Sequence, residues 1–155
     1  LLEQGFPPER IVIAGDSAGG GLALAAALYL RDHGMPMPAG IVTMSAWTNL
    51  SYRRWTPPYV GSERADNPYI SPAFGAYHGF PPMLMQAGGA EKLLGDTETV
   101  AQKARQAGVD VRQTTYPGMF HVFQLLFPEL QEANDAWDEV KNFIEDVFTG
   151  TARER

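Results

Sequence analysis

Apolar and polar positions alternate along this chain between two periods, and the alternation predicts a layered α/β architecture. Residues 11–14 (IVIA) form a short continuous apolar run, as expected of a parallel strand covered on both faces. Residues 22–30 (LALAAALYL) are apolar almost all round and predict a buried helix that His33-Gly34 stops. Residues 40–46 (GIVTMSA) and 83–87 (MLMQA) are two further strand candidates. Across 96–107, Val100, Ala101, Ala104 and Ala107 recur at helical spacing, with Gly108 as the stop, and 109–115 then alternates with period two. Over 131–148, Ala133, Ala136, Trp137, Val140, Phe143, Ile144 and Val147 mark one face of an amphipathic helix.

Strands that alternate with helices at this spacing imply parallel pairing through right-handed crossovers. The exception is 48–80, rich in Pro, Tyr, Arg and Ser and too long for a simple connection; insertions of this kind are usually functional or disordered. Composition narrows the picture. The 155 residues, 45% hydrophobic, suffice for one core and give no reason to divide the chain. A formal charge of −6 without a long basic run argues against nucleic acid or anionic membrane as partner. There is no cysteine, which excludes disulfides and thiolate metal sites. The three histidines are isolated, so neither a metal nor an organic cofactor is expected. No apolar run reaches the roughly 20 residues that span a bilayer. No signal peptide is visible, and a cytoplasmic location is the expectation; the chain opens without Met, so a preceding segment is expected as well.

Gly15-Asp16-Ser17-Ala18-Gly19 fits G-x-S-x-G between a predicted strand and a predicted helix. A sharp strand-to-helix turn lifts the serine above the sheet, and the next helix aims its unpaired N–H groups at the reacting centre. The Ala18 N–H is then a candidate oxyanion donor. Ser17 or Asp16 as a simple helix cap is the competing reading. A serine nucleophile needs a base within reach. His33 belongs at a helix end, and His78 lies in the insertion without a partner signal. His121, in YPGMFHVF, follows the last predicted strand, so it shares a sheet edge with Ser17. The base in turn needs a carboxylate from that edge. After 83–87 the chain reads GGAEKLLGDTE: Glu91 is the first choice, and Asp96, whose natural task there is to cap the next helix, is the alternative.

GDSAGG, GFPPMLMQAGGAEKLLGD and AGVDVRQTTYPGMFHVF, in this order, resemble the hormone-sensitive-lipase-like branch of the α/β-hydrolases, the bacterial family IV carboxylesterases. The resemblance runs from Leu1 to the final helix. It implies the C-terminal half of an α/β-hydrolase sheet, with about four parallel strands, and residues 48–80 as a cap-contributing insertion. By position Ser17 matches the family nucleophile and His121 the base. Glu91 stands where the family usually has Asp in D-P-L-R-D, and Val122 where it usually has Gly. The family's first four strands and its HGGG-type loop, which completes the oxyanion hole, do not occur in these 155 residues. The chain alone is therefore expected to be a weak esterase that needs the N-terminal half of the fold as partner. Each missing oxyanion donor costs on the order of 3 kcal/mol in the barrier. Residues 11–14 would then form an open sheet edge.

The expected substrate is a short to medium acyl ester, held in a pocket to which Trp47, Tyr69, Phe120 and Val122 contribute. Trp55, Tyr59, Phe74 and Tyr77 are further aromatics that could line it or merely pack the insertion. Other functions on the same fold are a non-catalytic ligand receptor and an amidase or peptidase. The resemblance also implies a possible homodimer.

Overall fold

The computed structural model describes residues 1–51 and 57–150. Four strands, β1 (Val12–Asp16), β2 (Gly40–Met44), β3 (Met83–Gly88) and β4 (Val111–Tyr116), form one parallel sheet in the order β1-β2-β3-β4. The intervening helices are α1 (Ser17–Asp32) and α2 (Leu94–Gln106); α3 (Phe123–Leu126) and α4 (Gln131–Thr149) follow β4.

The period of two along each strand sorts the core into two layers. Ile41, Met83 and Met85 face Leu24, Leu28, Val100 and Ala104 of α1 and α2. The alternate residues Val42, Met44 and Leu84 face Val140 and Phe143 of α4. Every residue of β2 and β3 is buried, which explains their nearly unbroken apolar text; β1 and β4 are the edges and are only partly covered. Trp137, expected on the buried face of the last helix, is 41% exposed, and its indole N–H donates to the Gln124 carbonyl at 3.1 Å.

Three elements differ from the sequence pattern. Helix α1 begins at Ser17, five residues before the apolar run, because its glycines are small for reasons of contact. A Cβ on Gly20 would lie 2.8 Å from the Ala46 Cβ, and one on Gly21 would lie 2.2 Å from the Trp47 carbonyl oxygen. Helix α2 begins at Leu94, and Asp96 does not cap it: the cap position is Leu93, with no side-chain cap hydrogen bond. The one-turn helix α3 carries too few residues for any periodicity.

The long insertion leaves and rejoins the sheet at two pinned ends. Asp96 Oδ2 accepts the Thr48 and Asn49 N–H groups at 2.8 and 2.9 Å. The Ala73 N–H donates to the Thr48 carbonyl at 3.0 Å, and the Leu50 N–H to Ser71 Oγ at 2.8 Å.

Candidate active site

Parallel strands bring their C-terminal ends to one rim, and the loops leaving that rim carry the polar side chains of interest. Ser17 is the first residue of α1, immediately after β1, with φ of 50°. That left-handed turn is tight enough to require Gly15, where a Cβ would meet the Gly19 carbonyl at 2.2 Å. Asp16 holds the cap position but makes no side-chain cap hydrogen bond, and Ser17 follows it as the first helical residue. The Trp47 N–H donates to the Ser17 carbonyl at 2.8 Å and braces the turn from β2. Ala18, next in the chain, belongs to the first turn of α1, where backbone N–H groups have no intrahelical acceptor.

His121 comes from the loop after β4. Its Nε2 lies 2.9 Å from Ser17 Oγ. The loop is held against β3 by two glycines and a pair of main-chain bonds. Gly89 N–H donates to the Tyr116 carbonyl at 2.8 Å, and Ala90 N–H to that of Met119 at 2.9 Å. A Cβ on Gly88 would sit 2.3 Å from the Met119 carbonyl oxygen, so no larger residue fits beneath the loop.

Glu91, just beyond these glycines, has a fully buried side chain, and its Oε2 stands 3.4 Å from His121 Nδ1. With Nε2 facing the serine hydroxyl and Nδ1 facing a carboxylate, the imidazole proton belongs on Nδ1. The same Oε2 accepts the Ser45 hydroxyl at 2.6 Å, while Oε1 is buried without a hydrogen-bond partner among the described residues. Glu91 thus contacts the imidazole, whereas Asp96 directs Oδ2 into the backbone at Thr48 and Asn49. Ser45 was not anticipated; nothing in TMSAW separates it from the tail of a strand. His33 closes α1, stacked on Tyr29 with Nδ1 2.8 Å from that residue's carbonyl, and His78 is exposed in the insertion.

An apolar cavity of about 270 Å³ opens beside the serine, lined by Ala18, Leu22, Trp47, Leu50, Tyr59 and Tyr69 among others. Phe120 and Val122 are not among its lining residues. Val122 turns inward and is buried, and Phe120 packs edge-on against Phe127 at 5.3 Å between centroids. Tyr77 is core, its hydroxyl donating to the Pro72 carbonyl at 2.7 Å, and Phe74 is exposed. Trp55 lies outside the described residues.

Behind the histidine loop a polar network anchors α3 and α4 to the sheet. Gln124 Nε2 donates to Gln86 Oε1 at 3.1 Å, Gln86 Nε2 to Glu139 at 2.7 Å, and the Tyr116 hydroxyl to Glu139 at 3.1 Å. Burial first, and then the Glu139 carboxylate, holds the Tyr116 phenol above its ordinary pKa.

A model of the α/β hydrolase fold matches residues 1–125. The chain belongs to the α/β hydrolase fold family. Among the relatives of this α/β hydrolase chain is an acetyl-hydrolase of Streptomyces hygroscopicus, 38% identical across 93% of the chain and 55% of that protein. An esterase of Acinetobacter venetianus is 32% identical across 92% of the chain and 54% of its own length. Among solved structures, an esterase/lipase from an uncultured bacterium superimposes with a TM-score of 0.89 at 34% identity, covering 96% of this chain and 57% of that one. A hormone-sensitive lipase from a metagenome library gives 0.87 at 36% identity, covering 95% and 56%. The α/β hydrolase chain therefore spans about half the length of the relatives it matches. Among its described residues no helix is long and apolar enough to cross a membrane.

Proposed function

We propose that this chain carries the catalytic triad of a serine carboxylesterase, with Ser17 as nucleophile, His121 as base and Glu91 as the orienting acid. The observation that carries the reading is the 2.9 Å contact between Ser17 Oγ and His121 Nε2, with a buried carboxylate on the far side of the ring. Relatives named acetyl-hydrolase and esterase support the same class of reaction.

In the proposed reaction the Ser17 proton passes to His121 Nε2 as Oγ bonds to the ester carbonyl carbon. Glu91 stabilises the imidazolium through Nδ1. The oxyanion is held by the Ala18 N–H together with donors that the resembling family takes from an HGGG-type loop. His121 then protonates the leaving alcohol as the C–O bond breaks. A water, activated by the same nitrogen, releases the acid from Ser17. The cavity beside Ala18 and Trp47 suits a short to medium acyl chain, and residues 48–80 contribute to the cap. Residues 1–155 form a partial catalytic domain whose full rate needs the other half of the fold.

The test is a fluorophosphonate probe and a p-nitrophenyl butyrate assay on the full natural polypeptide carrying residues 1–155. Ser17 is expected to be the labelled residue, and Ser17→Ala and His121→Ala each to remove turnover by a factor of about 10⁴ or more. Turnover that survives Ser17→Ala overturns the mechanism. Faster cleavage of the matching anilide than of the ester assigns an amidase instead.

A further inference from the structure

Among the described residues three non-glycine positions have left-handed backbone: Ser17 (φ 50°), Ser45 (φ 52°) and Val122 (φ 55°). Such conformations disfavour any residue with a Cβ, and persist where surrounding contacts over-determine them. Ser17 is accounted for by its turn. The other two face each other: the Val122 N–H donates to Ser45 Oγ at 3.0 Å, although 77 residues separate them. Ser45 is fully buried, and its own N–H is held by the Gln86 carbonyl at 2.7 Å.

We propose that Ser45 is a positioning residue that locks the Glu91 carboxylate and the His121 loop to one another, an assignment that rests on the triad reading above. A hydroxyl has one proton and two acceptor sites. Here the proton goes to Glu91 Oε2 at 2.6 Å, and one acceptor site takes the backbone N–H of the residue after the histidine. Oε2 is also the oxygen that faces His121 Nδ1. The contacts close a ring: Ser45 hydroxyl, Glu91 carboxylate, His121 imidazole, Val122 main chain and back to Ser45. At 3.4 Å the imidazole–carboxylate contact is longer than a good hydrogen bond, so it has to tighten as the ring becomes charged. From its place just after β2, Ser45 contacts both ends of that pair. Without the hydroxyl, the Glu91 carboxylate can rotate to exchange Oε2 for Oε1, which has no partner among the described residues, and the loop loses its tether.

The experiment is a double-mutant cycle in the full natural polypeptide, with p-nitrophenyl butyrate as substrate. Ser45→Gly removes the hydroxyl while relaxing the left-handed backbone, so it folds where Ser45→Ala could fail. We expect kcat to fall about 10- to 100-fold with KM within about threefold, since misplaced catalytic groups lose turnover before binding. In a Glu91→Ala background the same substitution costs less than about threefold more, because the residues act as one unit. An Nδ1–H signal of His121 in ¹⁵N-edited NMR, sharp in the parent, should broaden through exchange in Ser45→Gly. The proposal is overturned by wild-type kcat in Ser45→Gly, by an equal loss in both backgrounds, or by an unchanged Nδ1–H signal. Unaltered kcat in Glu91→Ala instead overturns the triad reading, and the NMR signal then decides the Ser45 tether by itself.

Discussion

Glu91 and Asp96 lie five residues apart, and their surroundings predict opposite consequences of removal. Asp96 is buried and accepts two backbone N–H groups at 2.8 and 2.9 Å. Hydrogen bonds to a charged acceptor contribute about 1.5–3 kcal/mol each, and a donor left buried without one costs a similar amount. Asp96→Ala should therefore destabilise by about 3–5 kcal/mol, a fall in Tm on the order of 10 °C for a domain of this size. Asp96→Asn keeps an acceptor oxygen and should lose less than half as much. Turnover per folded molecule should change only a few-fold, mainly in KM, because Thr48 and Asn49 follow Trp47 of the cavity wall. Glu91 is the reverse case. Its Oε1 is buried with no partner among the described residues, and Oε2 accepts only the Ser45 hydroxyl, so in Glu91→Ala the relieved desolvation cost offsets the orphaned Ser45 donor and Tm should change by less than half as much as in Asp96→Ala. It should nonetheless lower kcat by a factor of about 10² to 10⁴. Thermal melts and initial rates on the same preparations test both halves. If Asp96→Ala proves the more damaging to kcat, or Glu91→Ala the more damaging to Tm, the division of labour is wrong.

Three smaller predictions follow from the same geometry. Gly88→Ala forces the Met119 carbonyl to retreat from a 2.3 Å overlap, which moves His121 and should cost about tenfold or more in kcat at constant KM. Gly95→Ala, in α2 with nothing within 4 Å of the added methyl, should raise stability by about 0.5–1 kcal/mol in denaturant melts and serves as its control. Burial raises the phenol pKa values of Tyr77 and Tyr116, so both favour the folded state below pH 10 and that contribution fades as pH climbs through the folded values. In a spectrophotometric titration Tyr77 and Tyr116, and to a smaller degree Tyr69 beside Asp32, should resist ionisation above pH 10 until the fold opens, and Tyr116→Phe should reduce the alkaline loss of stability.

Much of the fold was legible because sheet and helix leave different periods in the text. The strands read within one or two residues, since β2 and β3 are buried on both faces and β4, though only partly covered, alternates with period two in its text. The start of α1 was hidden because Gly20 and Gly21 look like loop but are small to admit Ala46 and Trp47, a contact that local sequence does not encode. The closeness of Ser17 and His121 followed from topology alone, as both leave C-terminal ends of parallel strands. Asp96 illustrates the opposite failure: its position suggests a local cap, and a partner 47 residues away claims it instead. Ser45 left no trace at all, because what distinguishes it is a backbone angle and two distant contacts.

The clamped feet of the insertion have an evolutionary corollary. Thr48, Leu50, Ser71 and Ala73 tie its two ends together, so the chain between them is a cassette whose feet are fixed to one another. Doubling the length of a flexible loop adds only about 0.6 kcal/mol of closure entropy. Cassettes of other lengths could be exchanged there, retuning which molecules are admitted while the hydroxyl and imidazole keep their spacing.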